Sequence, residues 1–343
     1  MQKVQGIHHI TAIAGDPQEN LDFYAGVLGM RLSKRSVNQD VPDTYHLFYT
    51  DGGANPGTDL TFFPWRQMGP KRRGTGHWDE VYLTVPPGSI GWWKDRLAAA
   101  GASAAGTSAS GGPVPGADVP GPAPAFLGDL QERFGETVLP FEDPHGMALA
   151  LIEAPLYDGY DFAPWEGSPV PREKQIQGLG GVRLLERKEG PTAAFVASAL
   201  GFSEGPEENG WKRFVLGDGK SGQRIDLRIE PEGSRGGWGV GAVHHVAWRV
   251  ADESEQEAVR RQVAEAGGRP TPVIDRFWFK SVYSPEPGGA LMEIATDGPG
   301  FTVDEDPEHL GEALILPPWL ESHRGKIEAV LPKLQVPEAA PRR

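Results

Sequence analysis

An internal repeat constrains this sequence more than any other feature. Residues 4–12 read VQGIHHITA and residues 176–184 read IQGLGGVRL, an offset of 172 positions. Gly29 and Gly201, each preceded by leucine, lie at the same offset without a gap. A strand, a helix and a terminating Leu-Gly that all recur at the same offset indicate a duplicated supersecondary unit.

A second correspondence joins residues 80–101 with residues 245–267. Each stretch starts as an apolar strand, continues as a polar helix and ends in Ala-Gly. In both places a Pro/Gly turn and another apolar strand follow, MALALIEA in one and ALMEIATD in the other. The chain therefore contains four similar units, about 4–66, 77–154, 174–231 and 241–298.

Each unit predicts the pattern βαβββ, which places the chain in the α+β class. In the first unit Leu21, Tyr24, Val27 and Leu28 fall at helical spacing. We expect the following division of the chain: a first domain over 1–160 with the first two units, a linker over 161–175, a second domain over 176–298 with the other two, and a C-terminal extension over 299–343.

Two segments fall outside this pattern. Residues 102–125 consist mainly of Ala, Gly, Ser and Pro and predict a loop. The extension predicts one helix, about 320–334, and frayed final residues.

Composition excludes several classes of function. The formal net charge is −14, and an acidic surface disfavours binding to nucleic acid. The absence of cysteine excludes disulfides, thiolate nucleophiles and cysteine-based zinc sites. No apolar run approaches the roughly 18–20 residues of a membrane span, and the N-terminus lacks the apolar core of a signal peptide. We therefore expect a cytoplasmic protein that does not bind membranes, with a homo-oligomer allowed.

Four of the nine histidines form two His-His pairs, His8-His9 and His244-His245, each in the opening strand of a unit. Adjacent residues of a strand point to opposite faces. Alternation therefore predicts that one member of each pair reaches a common point and that the other faces elsewhere.

Glu293 lies in the otherwise apolar strand ALMEIAT. A buried carboxylate without a partner costs several kcal/mol, and a divalent metal is one suitable partner. Two neutral imidazoles and one carboxylate form the facial triad of non-haem Fe(II) sites, which also suits Mn(II) and leaves open coordination positions. The other explanation for Glu293 is an ion pair with arginine or lysine.

The two middle units have lost residues of this kind. Gly181 stands at the position of His9, Glu80 at that of His245, and Ala150 at that of Glu293. One surviving site in a duplicated scaffold would produce this distribution.

At these residues the chain resembles the vicinal oxygen chelate superfamily, which includes glyoxalase, bleomycin-resistance proteins and type I extradiol dioxygenases. Within it, the chain is most similar to bacterial ring-cleaving dioxygenases that act on hydroquinones. The motifs that carry the resemblance are GIHHIT at 6–11, DFYAGVLGM at 22–30, YHLFYTD at 45–51, PGTDLTFFPW at 56–65, VHHVAW at 243–248, PGGALMEIATD at 287–297 and FTVDEDPEHLGEAL at 301–314.

The resemblance implies two domains of paired βαβββ units, a metal held by His9, His245 and Glu293, and a small aromatic substrate that reacts with O₂. Fe(II) is the expected metal, with Mn(II) as the alternative. The resemblance also identifies further site residues of the expected types, namely His8, Thr11, His244, Arg276 and Tyr283.

Residue chemistry suggests roles for these positions. His244 or His8 would shuttle protons, Tyr283 would donate a hydrogen bond, and Arg276 would stabilise negative charge. The alternatives are an ion pair for Arg276 and a structural strand position for Tyr283. Phe277, Trp278 and Phe279 would form the wall of an aromatic pocket, unless they belong to the core. Thr11, Phe277 and Trp278 are the expected substrate contacts.

Two rival functions remain at this point. A glyoxalase-like isomerase or lyase often uses four protein ligands, and Asp59 is the candidate for the fourth, although a solvent-facing position for Asp59 is the simpler expectation. A binding protein of the same fold would need no catalysis, but it would also need no intact triad.

Overall fold

Two mixed β-sheets form the body of the protein, and each contains two of the four units. The structure is a computed structural model that describes residues 1–100, 119, 121–156 and 160–336. In the first unit the strands are β1 (Ile7–Ala14), β2 (Arg31–Val37), β3 (Tyr45–Thr50) and β4 (Asp59–Pro64). In the second they are β5 (His77–Val85), β6 (Phe126–Leu127), β7 (Gln131–Arg133), β8 (Glu136–Glu142) and β9 (Ala148–Glu153).

The second half of the chain repeats this order. The third unit contains β10 (Gly178–Glu186), β11 (Ser203–Glu208), β12 (Trp211–Val215) and β13 (Arg224–Ile229). The fourth contains β14 (Val243–Val250), β15 (Ile274–Asp275), β16 (Lys280–Pro285) and β17 (Leu291–Thr296). The α-helices are α1 (Pro17–Leu21), α2 (Ile90–Ala99), α3 (Glu189–Phe195), α4 (Glu253–Glu265) and α5 (Arg324–Val330).

Each sheet combines one unit from either half of the chain. The first sheet has the order β15-β16-β17-β14-β1-β4-β3-β2, and the second has the order β11-β12-β13-β10-β5-β9-β8-β6, with β7 paired to β8. Antiparallel contacts of β1 with β14 and of β5 with β10 join the halves. The predicted α+β class and the four βαβββ units are confirmed. The division at 1–160 and 176–298 stays a prediction, and neither half forms a sheet by itself.

The helices of the first and third units continue from α-helix into π-helix. A π-helical turn over Asp22–Val27 follows α1, and another over Val196–Leu200 follows α3. The apolar residues predicted at helical spacing in the first unit are all buried. Gly29 and Gly201, with φ of 70° and 90°, follow these turns in the left-handed conformation that glycine tolerates best.

The C-terminal extension crosses the edge of the first sheet, where Leu314 forms an isolated β-bridge with Arg35 of β2. The predicted helix over 320–334 is wrong in its extent, because a 3₁₀ turn occupies Glu321–His323 and α5 ends at Val330. Most of the predicted 102–125 loop and the final residues, 337–343, lie outside the described part of the chain. None of the helices described is long and apolar enough to cross a membrane.

Candidate metal centre

Both His-His pairs lie at β-bulges where β1 pairs with β14. The register passes from Ile7 to His9 without a partner for His8, and from His245 to Val243 without a partner for His244. A bulge places two residues opposite one and redirects a side chain. One member of each pair, His9 or His245, reaches the common point and the other lies elsewhere, as alternation predicts. The bulges nevertheless keep the two imidazoles of each pair in contact. The Nδ1 atoms are 2.9 Å apart in the first pair and 2.8 Å apart in the second.

The second histidine of each pair meets Glu293 in the middle of the first sheet. Nε2 of His9 lies 3.2 Å, and Nε2 of His245 lies 2.9 Å, from Oε2 of Glu293. The two Nε2 atoms are 3.3 Å apart. All three side chains are buried, at most 4% exposed. They form a group whose ligand atoms lie within 4.8 Å of one another.

These spacings fit a bound metal ion. Two ligand atoms that each lie about 2.1 Å from one ion, at right angles, are about 3 Å apart. Oε2 of Glu293 is buried and receives no hydrogen bond among the described residues, although both imidazoles adjoin it. The Ser281 hydroxyl donates to the other oxygen, Oε1, and so orients the carboxylate.

The three ligand residues shift one another's pKa values. Burial would raise the pKa of the Glu293 carboxyl, but the adjacent imidazoles hold this pKa well below its ordinary value. Burial would lower the pKa of His9, but Glu293 raises it. For His245, burial prevails and lowers the pKa. Glu293 is therefore ionised in the folded protein, which is the form that binds a cation.

At the corresponding place in the second sheet, ion pairs replace these residues. Glu80, the counterpart of His245, lies 2.5 Å from Arg133 and 3.5 Å from Arg183. Asp226 binds Arg213 at 2.7 Å. Arginines therefore neutralise the buried carboxylates there, whereas Glu293 has no arginine beside it among the described residues and adjoins two imidazoles instead.

A cavity open to solvent adjoins two of the three ligand residues, His9 and His245. This front cavity is lined by His9, His245, His46, Phe48, Phe279 and Tyr283, among others. Aromatic side chains with a few polar groups form the kind of lining found in sites for small aromatic molecules. A ligand in the front cavity would lie beside His9 and His245, two of the residues that would hold a metal.

Sequence reasoning missed His46, which lies on β3 and lines the front cavity. Its ring packs 3.8 Å from the ring of Phe48. Its Nε2 lies 2.8 Å from Oγ1 of Thr61, which in turn lies 2.8 Å from Oγ1 of Thr11. Burial and the charge of His9 hold the pKa of His46 well below its ordinary value. A single histidine in the apolar strand YHLFYT was the available signal.

Tyr283 and Arg276 both line the front cavity. The Tyr283 ring lies 5.6 Å from the His245 ring, and the Arg276 guanidinium lies 5.5 Å from the Tyr283 ring. Arg276 also pairs with Asp40 at 3.0 Å. Burial and the charge of Glu293 raise the pKa of Tyr283, so its hydroxyl stays protonated and can donate a hydrogen bond.

The first histidine of each pair supports the second from behind. Burial lowers the pKa of His8, and it lowers the pKa of His244 to about 3, so both rings are neutral. The His244 ring also stacks on Trp238, with a centroid separation of 4.3 Å. A ligating imidazole is commonly held by a hydrogen bond to its other nitrogen, and here a second imidazole adjoins that nitrogen.

The three expected substrate contacts lie in different places. Trp278 lines the front cavity. Thr11 is fully buried against Thr61, behind the cavity surface. Phe277 has a φ of 73° and packs against Trp319, with ring centroids 6.1 Å apart, so it belongs to the packing of the C-terminal extension.

The expected solvent-facing position for Asp59 is wrong. Asp59 is 3% exposed and lies opposite His9 in the pairing of β1 with β4. Burial raises the pKa of its carboxyl to about 7. The group of converging ligand atoms contains His9, His245 and Glu293, and Asp59 lies outside it.

Comparison with known proteins identifies the family of this chain. The sequence model of the glyoxalase/bleomycin resistance protein/dioxygenase superfamily matches residues 6–151. The Bacillus subtilis protein MhqO, whose name assigns it to the ring-cleaving dioxygenases, is 40% identical over 98% of this chain and 99% of its own length. The chain belongs to this superfamily. Within it, the chain is a ring-cleaving dioxygenase, an oxidoreductase that incorporates O₂ and depends on a metal, as the motifs predict.

Two further relatives agree with this membership. The chlorohydroquinone/hydroquinone 1,2-dioxygenase of Sphingobium indicum is 30% identical over 95% of both chains. The crystal structure of a Bacillus subtilis protein assigned as a dioxygenase superposes on the present structure with a TM-score of 0.84. The two sequences are 38% identical, and the match covers 98% of this chain and 100% of the Bacillus subtilis chain. Glyoxalase I of Zea mays, at a TM-score of 0.58 and 15% identity, shares the fold.

Proposed function

We propose that this dioxygenase cleaves the ring of hydroquinones and that His9, His245 and Glu293 hold Fe(II). Three buried ligand atoms at facial spacing, beside an aromatic cavity, carry the proposal. The hydroquinone specificity named for the Sphingobium indicum relative supports the choice of substrate. Bound Fe(II) would supply the one-electron chemistry that triplet O₂ needs to react with a closed-shell aromatic ring.

The aromatic residues of the front cavity orient the substrate. Phe48, Phe279 and Trp278 present ring faces and edges that pack favourably against an aromatic guest. These side chains also exclude water from the side of the ring that reacts. A phenol oxygen of the guest would then lie beside His9 and His245, where the cation favours the phenolate form.

His46, Tyr283 and Arg276 provide the polar contacts. The neutral His46 accepts the phenol proton as the substrate oxygen becomes anionic, and its hydrogen bond to Thr61 fixes the ring. The protonated Tyr283 hydroxyl donates to a substrate oxygen. Arg276 stabilises negative charge near the mouth, while Asp40 holds the guanidinium in place.

His8 and His244 act through the ligating histidines. Each keeps its neighbour's Nδ1 in a short contact and so fixes the orientation of the imidazole that faces the metal. The prediction of a homo-oligomer stays a prediction.

Anaerobic purification followed by metal analysis and an oxygen-electrode screen tests this proposal. We expect about one Fe per chain, and O₂ uptake with hydroquinones that exceeds uptake with catechols or resorcinols. Glu293→Ala should fold, bind no Fe and consume no O₂. Tightly bound Zn or Ni with no O₂ uptake would favour an isomerase, and a protein without bound metal would favour a non-catalytic binder.

A further inference from the structure

A second cavity lies behind the metal centre, on the opposite side of Phe279. This back cavity is lined by His8, Asp59, Asn55, Trp278, Phe279 and Phe301, among others. Phe279 and Trp278 also line the front cavity and so form the wall between the two. The ring of Phe279 lies 5.4 Å from the His8 ring and 5.0 Å from the His9 ring.

Two buried polar side chains of the back cavity lack hydrogen-bond partners among the described residues. They are His8 at Nε2 and Asp59 at both carboxyl oxygens, in side chains 5% and 3% exposed. The carbonyl of Thr296 lies near His8, but among the described residues no acceptor meets the geometry of a hydrogen bond with Nε2. Two other polar side chains of the cavity already have partners, since Asp297 pairs with Arg249 at 2.6 Å and Asn55 donates to Asp51 at 2.8 Å.

The metal determines which nitrogens of His8 and His9 carry protons. If Nε2 of His9 binds the ion, its Nδ1 carries the hydrogen and donates across the 2.9 Å contact to Nδ1 of His8. Because Nδ1 of His8 accepts this hydrogen bond, His8 carries its own hydrogen on Nε2. The back cavity therefore contains a donor, Nε2 of His8, and an acceptor, the Asp59 carboxyl, and neither has a hydrogen-bond partner in the part of the chain that the structure describes.

We propose that the back cavity holds ordered water that connects Nε2 of His8 with the carboxyl group of Asp59. Buried water occupies polar cavities where it satisfies two to four such groups. Through this water Asp59 is a positioning residue, because it orients His8, and His8 orients the metal-binding ring of His9. The inference rests on the proposed metal site, since the metal sets the direction of the hydrogen bonds.

A matched pair of variants at Asp59 separates positioning from packing. Asp59→Asn keeps hydrogen-bonding oxygen and nitrogen atoms for water, whereas Asp59→Leu has similar size and no polar atom. We expect Asp59→Leu to weaken metal binding about tenfold, as is typical when an outer partner of a ligating histidine is lost. Asp59→Asn should bind metal within about twofold of wild type, and Thr302→Val, at another residue of the cavity lining, should match wild type.

Two measurements besides activity complete the test. Metal affinity is measured by chelator competition, and the visible absorption of the Co(II)-substituted protein reports ligand orientation. The Co(II) spectrum should change in Asp59→Leu and be restored in Asp59→Asn. Equal affinities and spectra for the Leu variant and wild type would overturn the inference.

A high-resolution crystal structure of the metal-loaded wild type gives an independent answer, which remains valid if Asp59→Leu fails to fold. We expect water within hydrogen-bond distance of both His8 Nε2 and the Asp59 carboxyl. Direct donation from His8 to Thr296, a dry cavity, or a second cation bound to Asp59 would overturn the inference while leaving the proposed function intact. Failure of the wild type to bind metal would overturn both proposals.

Discussion

Thr61 on β4 occupies the position that Glu293 occupies on β17. Thr61 pairs with Thr11, which lies two residues after the ligating His9. In the same way, Glu293 pairs with Ala247, which lies two residues after the ligating His245. The duplicated scaffold therefore has four equivalent ligand positions in the first sheet. Three carry ligand-type residues and the fourth carries a hydroxyl that hydrogen bonds to His46.

Thr61→Glu should add a fourth protein ligand to the proposed metal. A second carboxylate increases the charge attraction and fills a coordination position that O₂ chemistry requires to be open. We expect metal affinity to rise about tenfold, equivalent to about 1.4 kcal/mol, while O₂ uptake is lost. Chelator competition and an oxygen electrode measure the two effects. Thr61→Val is the control for the lost hydroxyl, and a Glu variant with wild-type O₂ uptake would contradict the prediction.

His46→Gln should separate proton transfer from metal binding. Glutamine can hydrogen bond to Thr61 but cannot accept a proton at neutral pH, so we expect kcat to fall by about 10²–10⁴-fold, the usual contribution of a general base. His46 lies outside the group of metal ligands, so metal content should stay at the wild-type level. Steady-state kinetics and metal analysis check both parts. An unchanged kcat would remove His46 from the reaction.

The repeat made the fold predictable, because strands and helices that recur in one register are local features. It also led to the residues that meet at the metal centre. Gly181, Glu80 and Ala150 were recognised as lost ligand positions, and the pairing of Tyr82 with Ala150 repeats that of Ala247 with Glu293.

Long-range pairing and local irregularity were not predictable. The sequence of β1 does not indicate that it pairs with β14, which lies more than two hundred residues away, because tertiary packing determines which strands pair. The bulges at His8 and His244 depend on that same pairing. His46 was missed because its unit offered no second histidine on β3 to form a recognisable pair.

Lys34→Met should destabilise the C-terminal extension. Lys34 is fully buried, pairs with Asp304 at 2.7 Å and also contacts Glu305. Removal of one partner from a buried ion pair leaves an uncompensated charge and costs about 3 kcal/mol. Urea unfolding would measure this loss. Lys280→Met is the matched control, because its pair with Glu253 is more exposed, at 33% and 67% for the two side chains, and should contribute less than about 1 kcal/mol. Equal effects would contradict the prediction.

The stability of the protein should fall as the pH rises through the titration of Glu186. Burial and the nearby charge of Glu286 raise the pKa of the Glu186 carboxyl from 4.5 to about 8, although Arg235 partly offsets the effect. Between these two pH values, the folded protein therefore keeps the Glu186 proton, whereas the unfolded chain has released it. Since the unfolded state binds fewer protons in this window, the unfolding free energy decreases with pH.

Glu186→Gln isolates this contribution, because glutamine resembles the protonated carboxyl at every pH. We expect the difference in unfolding free energy, variant minus wild type, to increase steadily from pH 5 to pH 8 and to level off above the folded-state pKa. Urea titrations at intervals of one pH unit measure this difference. A constant difference across the range would show that Glu186 is ionised in the folded protein and that its pKa is ordinary.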